Sequence, residues 1–340
     1  MSSIKVQEWG KYQLYSLVNS QGTQIDISDL GGVIVNFFTT DAQGAKKNIV
    51  LGYETPEEYL KGQCYFGCIV GPWANRIADG RFTLDEVEYN LEQNEGTNHL
   101  HGASANLGAK SWLVNVVDDT TLELTTQVKA GEANYPCDID FLVTYTLSEQ
   151  NELGICYQAM PHAQTPINMT QHTYFNLSES ENVLDHRIQI MSDHYLRVDA
   201  LAIPLFIDSV DETPFDLREM QVIKDGIHQN NEQLHSAGGY DHCWCFEPNG
   251  IEHVATVKED KSGLQLDVLT DQIGLQFYSG NFINKELGRN NKLYDKHAGL
   301  CLETQCYPNQ INMENKSDCI YSPSKPYCHN VVYKVQTSEI

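Results

Sequence analysis

Apolar side chains recur at every second position in one short segment after another: "LELTTQV" (122–128), "FLVTYTL" (141–147), "HRIQIM" (186–191) and "LQLDVL" (264–269). That period is the period of a β-strand, whose successive side chains point to opposite faces. Turn-prone residues separate the segments. In "FTLDEVEYNL", Phe82 and Leu84 precede and Val87, Tyr89 and Leu91 follow Asp85-Glu86, which reads as a hairpin and so as antiparallel pairing. Helical signals are few: Thr55-Pro56-Glu57-Glu58 resembles an N-cap followed by proline at the first helical position, and residues near 225–235 suit another short helix. Strands and helices do not alternate, and neither "GAKKN" nor "GGYDH" sits between a strand and a helix as a phosphate loop would. The expectation is an all-β protein in which large antiparallel sheets stack to bury their faces, with a few short helices.

No Pro/Ser-rich linker, charge block or regular repeat divides the 340 residues, so 1–340 is read as a single domain. The 22 Lys+Arg against 46 Asp+Glu leave a formal charge of -24, which repels phosphate backbones and anionic lipid surfaces. Nucleic acid and membrane are therefore not expected partners. The start "MSSIKVQEWGKYQLYS" has no apolar run after its lysine, and no window reaches the length of a membrane span, which points to the cytoplasm. Ten cysteines form no C-x-x-C knuckle, and many lie in apolar runs. Reduced, structural thiols and no metal are expected.

Three sets of residues carry possible chemistry. In "INMTQHTYFNL" (167–177), read as a strand, one face carries Asn168, Thr170, His172, Tyr174 and Asn176, while Ile167, Met169, Phe175 and Leu177 lie on the other. In "AGLCLETQCYP", Leu300 and Leu302 point one way and Cys301, Glu303 and Gln305 the other; a carboxylate in such apolar company is either at a sheet edge or held at a site. "GPWANRIADGRF" (71–82), "TNHLHGA" (97–103) and "GGYDHCW" (238–244) combine glycine with polar or charged groups. His99 and His101 are spaced to share a strand face as metal ligands, but no third ligand is evident. Taken singly, His172 could be a core histidine, and Arg76, His101 and Asp241 ordinary turn or surface residues.

Taken together, "PWANRIADGRF", "NHLHG", "NMTQHTYFNLS", "GYDHCW", "LQFYSGNF" and "LETQCYP" resemble, in order and approximate spacing, the motifs of the aldose 1-epimerases (mutarotases) of the galactose-mutarotase type. The resemblance implies a β-supersandwich whose concave face binds a free aldose such as D-galactose or D-glucose. It implies interconversion of α and β anomers by acid–base ring opening and closure, without a cofactor. Carried over motif by motif, it makes His172 the acid and Glu303 the base, with His101 assisting. Asn75, Arg76, Tyr174, Asp241 and Gln276 become contacts to sugar hydroxyls. A monomer or weak homodimer is expected. The sequence departs from the family pattern at Ala103, Leu107, Gln171 and across 306–318, changes expected to fall on the rim of the site.

Two other readings stay open. A hexose-6-phosphate epimerase would need cationic residues around the pocket, and beyond Arg76 none cluster near the motifs. A non-catalytic sugar-binding sandwich would need no acid–base pair, whereas both His172 and Glu303 stand in matching motifs.

Overall fold

A computed structural model describes residues 4–337. The three residues at each end of the expected 1–340 span lie outside the described residues. Antiparallel sheets dominate. The N-terminal part is a five-stranded meander running from Lys5–Trp9 to Lys46–Asn48. A nine-stranded sheet has at its centre Ile139–Leu147, Glu152–Pro161, Tyr327–Thr337 and Leu264–Thr270. A six-stranded sheet runs in the order Tyr174–Phe175, Leu300–Gln305, Gly274–Tyr278, Asp241–Cys245, His194–Val198, Pro204–Ser209.

The four period-two segments are strands: Thr121–Val128, Ile139–Leu147, Arg187–Ile190 and Leu264–Thr270. The hairpin forms too, with Leu84 opposite Val87 and both turn residues, Asp85 and Glu86, at positive φ. Two positive φ values twist a two-residue turn in the sense the flanking strands require. The first helix, Pro56–Lys61, starts as expected: Glu58 Oε2 accepts the Thr55 backbone N–H at 2.8 Å, part of a capping box. The region near 225–235 forms two helices, Ile223–Ile227 and Glu232–Ala237. Asn231 interrupts them because its side chain caps the second, accepting from Gln233 N at 2.9 Å.

The nine- and six-stranded sheets pack face to face, and alternation decides which side chains meet. On the Leu300–Gln305 strand, Leu300 and Leu302 enter the core cluster. Tyr333, on the facing sheet, donates to Leu302 O at 3.1 Å and packs its ring 5.2 Å from Phe175. His329 Nε2 lies 2.9 Å from Thr304 Oγ1. With one face of this strand fixed to the core, Cys301, Glu303 and Gln305 turn to the other.

The segment 167–177 departs from the expected continuous strand. Only Thr170–Gln171 and Tyr174–Phe175 form strands, Asn168 makes an isolated bridge to Trp73, and the ladder breaks at His172-Thr173. Nor does the polar row line a pocket throughout. Asn168 is buried and grips loops, its Oδ1 accepting from Cys306 N at 3.0 Å and its Nδ2 donating to Ala74 O at 3.1 Å. Asn176 donates to Ser180 O and Ala298 O, and Thr170 is fully buried. Burial on both sides forces the Asn168 and Asn176 amides into hydrogen bonds with loop backbone, whereas the Thr170 hydroxyl is buried without a partner among the described residues. Among the described residues no helix is long and apolar enough to cross a membrane, and all ten cysteines are free thiols.

Candidate active site

The core-averted face of the six-stranded sheet forms the floor of a cavity. Register brings the side chains together: Tyr174 is opposite Cys301, Gln276 opposite Glu303, and Asp241 opposite Tyr278. Loops close the sides, giving a cavity of about 440 Å³ lined by Asn75, Arg76, His101, His172, Tyr174, Asp241 and Glu303, with Glu95 and Tyr65 among its further walls. Gln276 reaches it through Asp241, donating to Oδ1 at 2.7 Å. All eight residues expected at a site thus come together. A larger groove of about 780 Å³ lies elsewhere, near Leu113, Thr125, Phe141 and Met160. Its walls hold no paired acid and base.

His172 Nε2 stands 3.8 Å from Glu303 Oε1, and both residues are buried. The break in the ladder at His172 frees it for this position. Its backbone is pinned by His172 N to Cys68 O and Gly67 N to His172 O, both 2.9 Å. The imidazole stacks with Tyr174 at 5.1 Å and with Tyr65 at 5.8 Å. Tyr65 holds this place with a left-handed φ of 56°. Gln171, beside it, is fully committed: its amide nitrogen donates to Gly67 O and Gly32 O while its oxygen accepts from Tyr145 and Tyr157 hydroxyls. This departure from the asparagine usual in the motif ties the His172 turn to the nine-stranded sheet.

Burial sets the protonation of the pair. It pushes His172 down to about 4. It pushes Glu303 well above the carboxylate range, with the charge of Asp241 adding and Arg76 subtracting. Burial therefore favours holding the pair's proton on the Glu303 carboxyl rather than on the imidazole. Glu303 Oε2 and Gln276 Oε1 are buried without a hydrogen-bond partner among the described residues, so both are available to a bound hydroxyl.

His101 is held by a reciprocal contact: Asn75 N donates to His101 Nδ1 at 3.1 Å and His101 N donates to Asn75 O at 3.2 Å. Both residues have left-handed φ, 64° and 53°. Burial and the neighbouring His172 and Arg76 keep His101 uncharged. With Nδ1 accepting, the proton of the neutral ring sits on Nε2 as a donor. His99 does not join it as a ligand, since its ring nitrogens lie 2.7 Å from Glu92 O and 2.9 Å from Tyr135 Oη.

Arg76 is fixed by a bidentate pair with Glu95, Nε to Oε2 at 2.7 Å and Nη2 to Oε1 at 2.6 Å. Burial lowers the Asp241 charge preference and raises its carboxyl, with Arg76 and Gln276 opposing. Glu95, Tyr65 and Cys301 were not among the expected site residues; Glu95 lies just before "NHLHG" and could have been sought as the partner a buried arginine requires. The departures are not all on the rim. Leu107 is in the core, and Cys306, Tyr307, Gln310 and Ile311 are buried. Asn309 supports the Arg76 loop from beneath, donating from N to Arg76 O at 2.8 Å and accepting from Ala78 N at 3.0 Å.

The family model described as aldose 1-epimerase matches residues 13–334. Galactose mutarotase of Mus musculus is 38% identical over 95% of this chain and 93% of its own length. Aldose 1-epimerase of Escherichia coli K12 is 31% identical over 95% of both. A solved aldose epimerase homologue from C. elegans superposes with a TM-score of 0.91 at 25% identity, covering 96% of this chain and 100% of that one. Galactose 1-epimerase from Lactobacillus acidophilus gives 0.88 at 26% identity, covering 99% and 100%. This chain belongs to the aldose 1-epimerase family and is an isomerase, a mutarotase.

Proposed function

We propose that the cavity binds a free aldohexose pyranose such as D-galactose or D-glucose, and that Glu303 and His172 open and reclose its ring. Glu303 as carboxylate takes the proton from the C1 hydroxyl while His172 as imidazolium gives one to the ring oxygen. The C1–O5 bond breaks, leaving the open aldehyde beside a protonated Glu303 and a neutral His172. That is the tautomer burial favours in the pocket, so the site is matched to the ring-opened state rather than to the closed sugar. Rotation about C1–C2 presents the other carbonyl face, and both transfers reverse. Each positioned acid or base is worth about 10²- to 10⁴-fold.

The observation that carries the reading is the 3.8 Å approach of His172 to Glu303 across one polar cavity. The remaining groups are proposed to orient the ring: His101 Nε2–H toward a C1 or ring oxygen, and Asn75, Arg76, Asp241 and Gln276 toward hydroxyls, with Tyr174 beside the C–H face. A 6-phosphosugar fits poorly. Arg76 is already paired with Glu95, and Asp241, Glu286 and Glu303 line the same cavity. We also read the chain as one domain, because one core cluster runs from Leu17 to Val335. A charge of -24 supports neutral sugars in the cytoplasm over nucleic acid or membrane.

Polarimetry on freshly dissolved glucose, galactose, xylose, arabinose and glucose 6-phosphate tests this. The expected result is faster equilibration of the free sugars and none of the phosphate ester. Sugar binding without faster mutarotation would point to a binding module.

A further inference from the structure

Cys301 has no part in proton transfer, yet strand alternation places its thiol on the same face as Glu303. Its Sγ lies 3.5 Å from His172 Nδ1. One donor atom from each of His172, Cys301 and Glu303 lies within 4.8 Å of the other two, and all three residues are buried. We propose that these three form a site for a thiophilic divalent cation, Zn²⁺ foremost, at the floor of the cavity, with His172 and Glu303 on its lining and Cys301 buried beside them, where occupancy excludes sugar and silences the enzyme.

The donor set argues for zinc over the hard cations. Sulfur, imidazole nitrogen and one carboxylate oxygen are zinc ligands at about 2.0–2.3 Å, whereas magnesium and calcium require shells of oxygen. Cys301 Sγ lies against Nδ1 and Glu303 Oε1 against Nε2, and separations of up to 4.8 Å are wider than a tetrahedral shell needs, so the side chains must rotate until one ring nitrogen meets both. Three protein ligands leave a fourth position open toward the cavity. The cation takes one charge each from thiolate and carboxylate, so the complex is neutral in its buried surroundings; the thiol and carboxyl protons leave to solvent. Bound this way, Glu303 can accept no proton and His172 cannot take up the second proton that makes it an imidazolium acid. The surrounding geometry favours retention, because Tyr174 and Tyr278, the cross-strand neighbours of Cys301, wall it on both sides.

The competition with sugar rests on the proposed function; the cation site itself does not. The test uses full-length, chelator-treated enzyme. Zinc titrated into a mutarotation assay is expected to inhibit, with relief by EDTA and by raised galactose. Cys301→Ser should raise the half-inhibitory zinc concentration about tenfold or more, measured against its own zinc-free rate. Co²⁺ gives a readout apart from activity: a thiolate-to-cobalt charge-transfer band in wild type that disappears in Cys301→Ser and on adding galactose. Absence of inhibition in active wild type, or equal zinc sensitivity and an unchanged cobalt band in Cys301→Ser, overturns the proposal. An inactive wild type that keeps a galactose-insensitive, Cys301-dependent cobalt band would overturn the sugar-site reading and leave the cation site standing.

Discussion

His172 Nε2 and Glu303 Oε1 face each other at 3.8 Å, brought together by a broken strand ladder on one side and by the alternation of Leu300–Gln305 on the other. Their environment fixes a proton inventory as well as a distance. With His172 at about 4 and Glu303 raised well above the carboxylate range, the pair holds a single proton between the two titrations. Below about 4 a second proton occupies the imidazole and the pair has no base. Above the raised Glu303 value the last proton leaves and the pair has no acid. In chelated buffer, kcat/KM should therefore show no loss as pH is lowered through 6.5 and should fall on the acid side near 4. A tenfold loss per pH unit beginning near 6.5 would show instead that His172 titrates like a free imidazole.

The Asn75–His101 contact predicts the role of His101. Removing the ring in His101→Ala deletes the Nε2–H donor and leaves the buried Asn75 N–H unpaired. kcat for galactose should fall about 10²-fold, the scale of losing one preorganised donor at a developing oxyanion. Stopped polarimetry measures this, with circular dichroism checking the fold.

Glu95 acts through Arg76. In Glu95→Gln the guanidinium keeps its charge and loses its bidentate anchor, so it no longer holds one geometry toward the sugar. KM should rise about tenfold with a smaller change in kcat, as expected for lost uniform binding. A fall in kcat alone would place Glu95 in the chemistry.

Ala103 follows His101 and Gly102 in a run of three left-handed residues, with φ of 48°. A side chain there is strained by about 1–2 kcal/mol, and glycine relieves it at some cost in unfolded-state entropy. Ala103→Gly should raise stability by about 1 kcal/mol in urea unfolding and leave mutarotation near wild type. A loss of stability would show that the methyl packs more than it strains.

Much of the fold was legible because one physical signal, period-two alternation, dominates this chain, as at 139–147 and 264–270. The same signal misled at 167–177. There the polar row serves buried loops at Asn168 and Asn176, and only His172 and Tyr174 reach the cavity. Alternation reports which face a side chain takes, and both faces are buried here. The site residues came from ordered motifs, whereas Glu95 and Tyr65 depended on contacts between distant segments, and Cys301, legible beside Glu303 from alternation, met His172 only through the fold. Tyr65 in particular reaches His172 through a left-handed turn that no local pattern announces. The segment 306–318 was expected at the rim because it differs from relatives, yet 306–311 are buried and support the Arg76 loop, while 312–318 are mostly exposed.

The most direct test is the mutarotation of fresh α-D-galactose by Glu303→Gln, whose amide matches the carboxyl in shape and cannot accept the hydroxyl proton. Polarimetry should show its kcat lowered by about 10²- to 10⁴-fold with galactose binding retained. Equilibration at the wild-type rate would contradict the assignment of Glu303 and His172 as the pair that opens the ring.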